Sequence, residues 1–190
     1  DDARMKCSGI LRYNQKYILE NRNGDLLNSV EEHSPVFWKY QEFLFHFIKD
    51  DAEKERFRTD KYIDFPKFKM MWYKEIMPRK ECRGLSPGIA WHVIRTFIKG
   101  MSPDDFLDSD SYNELPRKQQ SVSLENFNKV YDLIWNGWYK TKTVTDEFWD
   151  DQDLTRFVIS SDYVRPEFPA IFCDESQDFT QLELEFIFRL

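Results

Sequence analysis

No stretch of the form G-x-x-x-x-G-K-[ST] occurs in the sequence, and none of its six glycines is followed by lysine. Without such a loop there is no ready cradle of backbone N–H groups for a triphosphate. Cysteine is scarce: Cys7, Cys82 and Cys173 are odd in number and far apart, which excludes a disulfide framework and fits a reducing compartment. No CxxC pair exists, and His33, His46 and His92 are widely separated, so a zinc site is not expected. No apolar run approaches membrane-spanning length, and Asp1 and Asp2 stand where a signal peptide would carry basic residues. No internal repeat or long low-complexity tract appears. Positive charge is in deficit: the net charge is -7 and the pI about 5.1. That excludes a dedicated nucleic-acid coat protein but not a motor gripping one strand through a local groove. The expected location is cytoplasmic, or nuclear in a eukaryote. The first Met is Met5 and the sequence stops within LELEFIFRL, so a piece of a longer chain is expected.

What is present is enough for a core. Of 190 residues, 41% are apolar and 17% aromatic. Helical spacing dominates. Ser34-Pro35 reads as a cap with proline at the first helical position, followed by Phe37, Tyr40, Gln41, Leu44, Phe47 and Ile48. Asp50, Asp51 and EKERFR then lead out to solvent. A helix over Pro66–Met77 carries the stripe Phe68, Met71, Trp72, Ile76 and stops at Pro78. Ser86-Pro87 opens another, with Ile89, Val93, Ile94, Phe97 and Ile98, and Gly100 as its stop. Ser102-Pro103 predicts a short helix. NELPRKQQSVS predicts a loop. Ser123 caps the clearest helix, with Leu124, Phe127, Val130, Tyr131, Ile134, Trp135 and Trp138 at 3.6 spacing. A short helix is expected over Asp153–Ile159.

Beyond Arg165 the character changes. Ala170–Cys173 is a short apolar run that reads as a buried strand. Thr180 and Glu183 form the capping-box pattern T-x-x-E, which opens a last helix. The expected organisation is therefore mainly α: a helical domain over 1–165, attached to a strand-loop-helix piece of a P-loop NTPase α/β core over 166–190.

The run AIFCDESQDFTQLELEFI carries the chemistry. A nucleotide hydrolase needs a carboxylate to hold Mg²⁺ beside the triphosphate and a group to orient and deprotonate the attacking water. An apolar strand ending in Asp-Glu delivers both at the crevice where ligands bind. Asp174, with Glu175 beside it, is the candidate metal-facing pair, and Glu175 the candidate general base. The bland alternative is an acidic loop at a helix start.

DESQD followed by FTQLEL resembles the DExQD acidic motif of superfamily 1 helicases related to UvrD and Rep. The resemblance implies ATP and Mg²⁺ as cofactors, a catalytic and nucleotide-contacting role for Gln177, and a role for Asp178 in shaping the nucleotide loop. LSPGIAWHVIRTFIKG, through Trp91, Ile94, Ile98, Lys99 and Gly100, is similar to a helical insertion in a subgroup that includes helicase-like proteins with TPR and ankyrin repeats. Tyr112, Leu115, Arg117 and Lys118, and the acidic run Asp150–Asp153, fit the same subgroup. The resemblance spans roughly residues 60–190. It implies single-stranded or partly duplex DNA as partner, RNA being possible, together with the rest of a helicase core. Other helicase arginines would lie beyond Leu190. The rival class is a non-catalytic helical module that binds protein or nucleic acid.

Lys61–Arg83 holds seven basic residues interleaved with Tyr62, Phe65, Phe68, Trp72 and Tyr73. That composition suits a single-strand track, and Lys67, Lys69 and Lys74, with Lys99 further on, are its candidate contacts. The alternative, and the commoner outcome, is a solvated helix face. Trp135 and Trp138 fall on an apolar stripe and are expected in the core. His92 has no nucleophilic partner visible in sequence. Cys173 is expected to be a buried, small apolar residue.

Overall fold

The computed structural model describes residues 38–161, 163–165 and 171–190. Ser34, Pro35, Phe37, Cys7 and Ala170 lie outside the described residues. The chain divides into two compact units, Asp1–Phe43 and Leu44–Leu190. In the first, the described residues are Trp38–Phe43, where the rings of Trp38 and Phe43 meet edge-on at 5.8 Å. Helix α1, Tyr40–Phe47, begins there.

The larger unit is built from helices. After α1 come α2 (Asp51–Arg56), α3 (Phe65–Glu75), α4 (Pro87–His92), α5 (Ser109–Glu114), α6 (Leu124–Lys129), α7 (Asp151–Ser160) and α8 (Gln181–Phe188). Two helices do not stop at their α-wound part. Val93–Ile98 continues α4, and Val130–Tyr139 continues α6, in the wider π winding. The i→i−5 bonds from Lys99 N–H to Ile94 O (2.9 Å) and from Lys140 N–H to Trp135 O mark that winding. Lys140–Val144 then returns to α geometry.

The caps explain the starts. Ser86 accepts the Ile89 N–H and Ser123 the Asn126 N–H, as their positions predict. Four further starts use aspartate, at Asp50, Asp64, Asp108 and Asp150. Asp50 thus opens α2 where an exit to solvent was expected. The helix expected at Ser102-Pro103 is not formed. Ser102 Oγ accepts the Asp104 N–H at 3.2 Å, closing a local turn that competes with a helical one.

The core forms where the stripes meet. Phe68 lies 5.0 Å from the Trp91 ring and 5.5 Å from the rings of Trp138 and Tyr139. Tyr112 stacks on Phe127 at 4.0 Å. Trp135 and Trp138 are buried, as the stripe requires. Burial of such aromatics contributes on the order of 1.5–3 kcal/mol each. The long connections are tied at Trp149, whose N–H donates to Lys61 O at 3.1 Å while Ile63 N–H donates to Trp149 O at 2.7 Å.

The architecture is mainly α, and among the described residues there is no β-strand. Ile171–Cys173 does not form the expected strand. Phe172 is 84% exposed, as follows where no neighbouring strand is there to cover it. Cys173 is half-buried, and burial pushes its thiol pKa up. Among the described residues no helix is long and apolar enough to cross a membrane.

Candidate functional site

The acidic motif leads directly into α8, and α8 starts as the sequence predicts. Thr180 accepts the Glu183 N–H at 3.2 Å, and Glu183 returns the bond by accepting the Thr180 N–H at 2.7 Å. A reciprocal cap of this kind stabilises a helix start by about 0.5–2 kcal/mol. The box is also a packing element. Glu183 is 1% exposed. Its carboxylate accepts both guanidinium bonds of Arg95 Nη2, at 2.8 and 3.0 Å, and the Gln152 Nε2–H at 2.7 Å. Thr180 Oγ1 donates to Gln152 Oε1 at 2.9 Å, and Leu182 N–H donates to Gly100 O at 2.8 Å. Gly100 is needed here for space rather than for a left-handed turn. A Cβ on it would lie 2.3 Å from Arg95 O and 2.9 Å from Thr180 Cβ.

The motif itself lies on the surface. Asp174, Glu175, Gln177 and Asp178 are all exposed, and Ser176–Asp178 forms one 3₁₀ turn. Asp174 Oδ1 accepts the Glu175 N–H at 3.0 Å. Glu175 has φ 52° and ψ 38°, the left-handed region, which costs a non-glycine residue on the order of 1 kcal/mol or more. Gln177 Nε2 donates to the Glu175 carboxylate. Arg95 Nη1 donates to the main-chain carbonyl of Asp178 at 3.2 Å, so the last motif residue is held by a helix 83 positions away in sequence. Among the described residues no three His, Cys, Asp or Glu side chains converge on a common metal position. Two exposed carboxylates on one turn fit Mg²⁺ shared with phosphate oxygens and water, and do not fit an all-protein cage.

The second acidic run, Asp150–Asp153, has a different environment. Asp150 caps α7 and, with Asp153, forms another reciprocal box. Lys99 lies between them, 2.6 Å from each carboxylate and 0% exposed, with its ammonium 5.6 Å from the Tyr139 ring centre. Tyr139 Oη donates to Asp150 at 2.8 Å. Burial and the charge of Asp150 raise the Asp153 pKa. Burial, then the charge of Asp150, push Asp151 up to about 6, and Tyr62 Oη donates to its Oδ2 at 3.1 Å. Lys99 is therefore corrected: it is an interior ion-pair partner, not a nucleic-acid contact.

The remaining basic candidates separate. Lys67 Nζ donates to Asp60 O at 2.6 Å and lies 5.0 Å over the Phe148 ring, so its ammonium is engaged. Lys69 and Lys74 are exposed on α3, beside exposed Met70 and Tyr73. His92 does have a hydroxyl partner, since its Nε2 lies 2.7 Å from Ser121 Oγ. Residue spacing gave no hint of that pair, 29 positions apart. Arg95, Gln152 and Asp150 were also missed as site residues. The D-x-x-D pattern at Asp150 was a local signal for Asp150 alone.

The chain is 25% identical over 198 residues to TPR and ankyrin repeat-containing protein 1 of Homo sapiens, an alignment covering 91% of this chain. It spans 7% of the length of that relative. No family model and no solved structure matches the chain.

Proposed function

We propose that this chain supplies the acidic motif and a DNA-facing helical insertion of an ATP-dependent helicase or translocase motor of the UvrD/Rep kind. The observation that carries the reading is the DESQD turn set directly before a helix fixed by a reciprocal Thr180–Glu183 cap. The order of residues matches the chemical need: carboxylate, carboxylate, amide, then a rigid helix.

In this reading Asp174 and Glu175 would hold Mg²⁺, which would supply charge neutralisation for the phosphates of ATP. Glu175 accepts the proton of the attacking water. Gln177 holds the Glu175 carboxylate through its amide and reports on the nucleotide side. Asp178 fixes the end of the turn. The phosphate-binding loop is supplied by residues other than these, and without it the 190 residues alone have no ATPase activity. The strand before Asp174 forms only beside the neighbouring strands of that core. DNA, with RNA as the alternative polymer, is the partner, and the cytoplasm, or the nucleus in a eukaryote, is the compartment.

The test is a pair of substitutions in the full-length natural protein. Glu175→Gln lowers nucleic-acid-stimulated ATP turnover with little change in ATP affinity, because Gln cannot take a proton. Asp174→Asn weakens magnesium-dependent ATP binding as well. Wild-type stimulated turnover retained in both would leave the non-catalytic, protein- or nucleic-acid-binding module as the function.

A further inference from the structure

We propose that Arg95 is the positioning residue through which the helical bundle sets the geometry of the acidic motif, an inference that rests on the helicase reading of that motif. Its guanidinium touches both the acidic turn and the helix that follows it. Nη1 takes the Asp178 carbonyl at the end of the turn, and Nη2 takes both oxygens of Glu183 in the helix that follows. The turn is exposed and makes its other side-chain bonds within itself, Asp174 to the Glu175 N–H and Gln177 to the Glu175 carboxylate. Arg95 thus ties the end of the turn to the bundle.

The other end of the connection is equally specific. Arg95 belongs to the π-wound stretch Val93–Ile98, directly before Lys99. Lys99 is locked to Asp150 and Asp153 at the start of α7, and α7 supplies Gln152 to Glu183 and Thr180. The bonds thus form a closed ring, from Arg95 to Glu183 to Gln152, along α7 to Asp150, across to Lys99 and back along the chain. A displacement of α4 has a direct, bonded route to Asp178 through Arg95. π-wound segments are frequent at functional sites because their register is not the helix's default one. Lysine is a poor replacement for this arginine, because its single nitrogen cannot stand at both places that Nη2 and Nη1 occupy, one on the Glu183 carboxylate and the other on the Asp178 carbonyl.

Two measurements test this. In the 190-residue chain, Arg95→Ala is expected to speed amide hydrogen exchange across Ser176–Leu184 by at least about tenfold, with Arg95→Lys intermediate. In the full-length protein, Arg95→Lys is expected to keep the melting temperature within about 2–4 °C. Its kcat for stimulated ATP turnover should fall by about 5–150-fold, the range of a typical coupling between sites. KM for ATP should stay within about twofold, since Asp174 is untouched. A purely structural role would instead lower melting temperature and kcat together and would be rescued by lysine. Unchanged exchange in Arg95→Ala, or wild-type kcat in Arg95→Lys, overturns the proposal. If Arg95→Ala fails to fold, Glu183→Gln takes its place in the exchange measurement. Absence of any turnover in the wild-type protein would instead overturn the helicase reading, and the exchange result would then decide whether Arg95 holds the turn.

Discussion

Asp150–Asp153 and Asp174–Asp178 are both short acidic runs at or just before helix starts of the same compact unit, yet the first is closed around a buried lysine and the second is open to solvent. At Asp150 both carboxylate oxygens have partners at hydrogen-bond distance: Lys99, Tyr139 Oη and the backbone N–H groups of α7. At Asp174 and Glu175 the bonds are to the turn's own backbone and to Gln177. A charge taken into the interior must be paired to be tolerated. A carboxylate required to meet an ion and a substrate must be left available. The difference separates an interior acidic run from an open one on physical grounds, although the two look alike in sequence.

Breaking the buried member should have the largest effect. Lys99→Met leaves Asp150 and Asp153 without their cation and is expected to destabilise the fold by about 3–5 kcal/mol in urea unfolding. Alanine at Asp174 or Asp178, by contrast, should fall within about 0.5 kcal/mol of wild type. Equal losses at both sites would erase the distinction. Gly100→Ala comes next, because its Cβ would meet Arg95 O and the Thr180 side chain. Overpacking of that kind costs about 1–3 kcal/mol, and the loss should appear together with faster exchange in α8.

Asp151 sharpens the comparison through pH. Its folded pKa is about 6 against an ordinary 3.8, and its Oδ1 is buried without a hydrogen-bond partner. Between those two pH values the native state binds more protons than the unfolded state, so stability falls as pH rises through the window. Asp151→Asn keeps an acceptor for Tyr62 and removes the buried charge. It is expected to stabilise the protein by about 1–2 kcal/mol at pH 7.5, with the gain disappearing towards pH 4. A gain that is independent of pH would show that charge burial is not its source. The smallest effect is expected on α3. Weak, salt-sensitive binding of oligo(dT) should be removed by joint alanine substitution of Lys67, Lys69 and Lys74. Of these, Lys69 and Lys74 should carry most of the loss, since the Lys67 ammonium is already bonded within the protein.

Sequence reading located most helices because their starts and stripes are local. Pro66, Ser86, Ser123 and the Thr180–Glu183 box each act within four residues. It missed the aspartate caps at Asp50, Asp64 and Asp108, which no reciprocal capping box marks. It misjudged Ser102, whose hydroxyl closes a turn instead of a helix. The site was half legible. DESQD and its helix were readable because the motif is contiguous. The fate of Lys99 depends on Asp150, 51 positions away, and that of Arg95 on Glu183, 88 away. Neither pairing leaves a periodic or local trace. The strand expected at Ile171–Cys173 is not formed, because a ladder needs a neighbouring strand, which a local apolar run does not reveal.

The central claim is that the open acidic run handles nucleotide and water. It is tested most directly by nucleic-acid-stimulated ATP turnover of the full-length protein, wild type against Glu175→Gln, with nucleotide binding measured on the same samples. Loss of a general base predicts a fall in turnover of about 10²–10⁴-fold with nucleotide affinity preserved. Equal turnover in the two proteins would contradict the account and reduce DESQD to an acidic loop at the start of a helix.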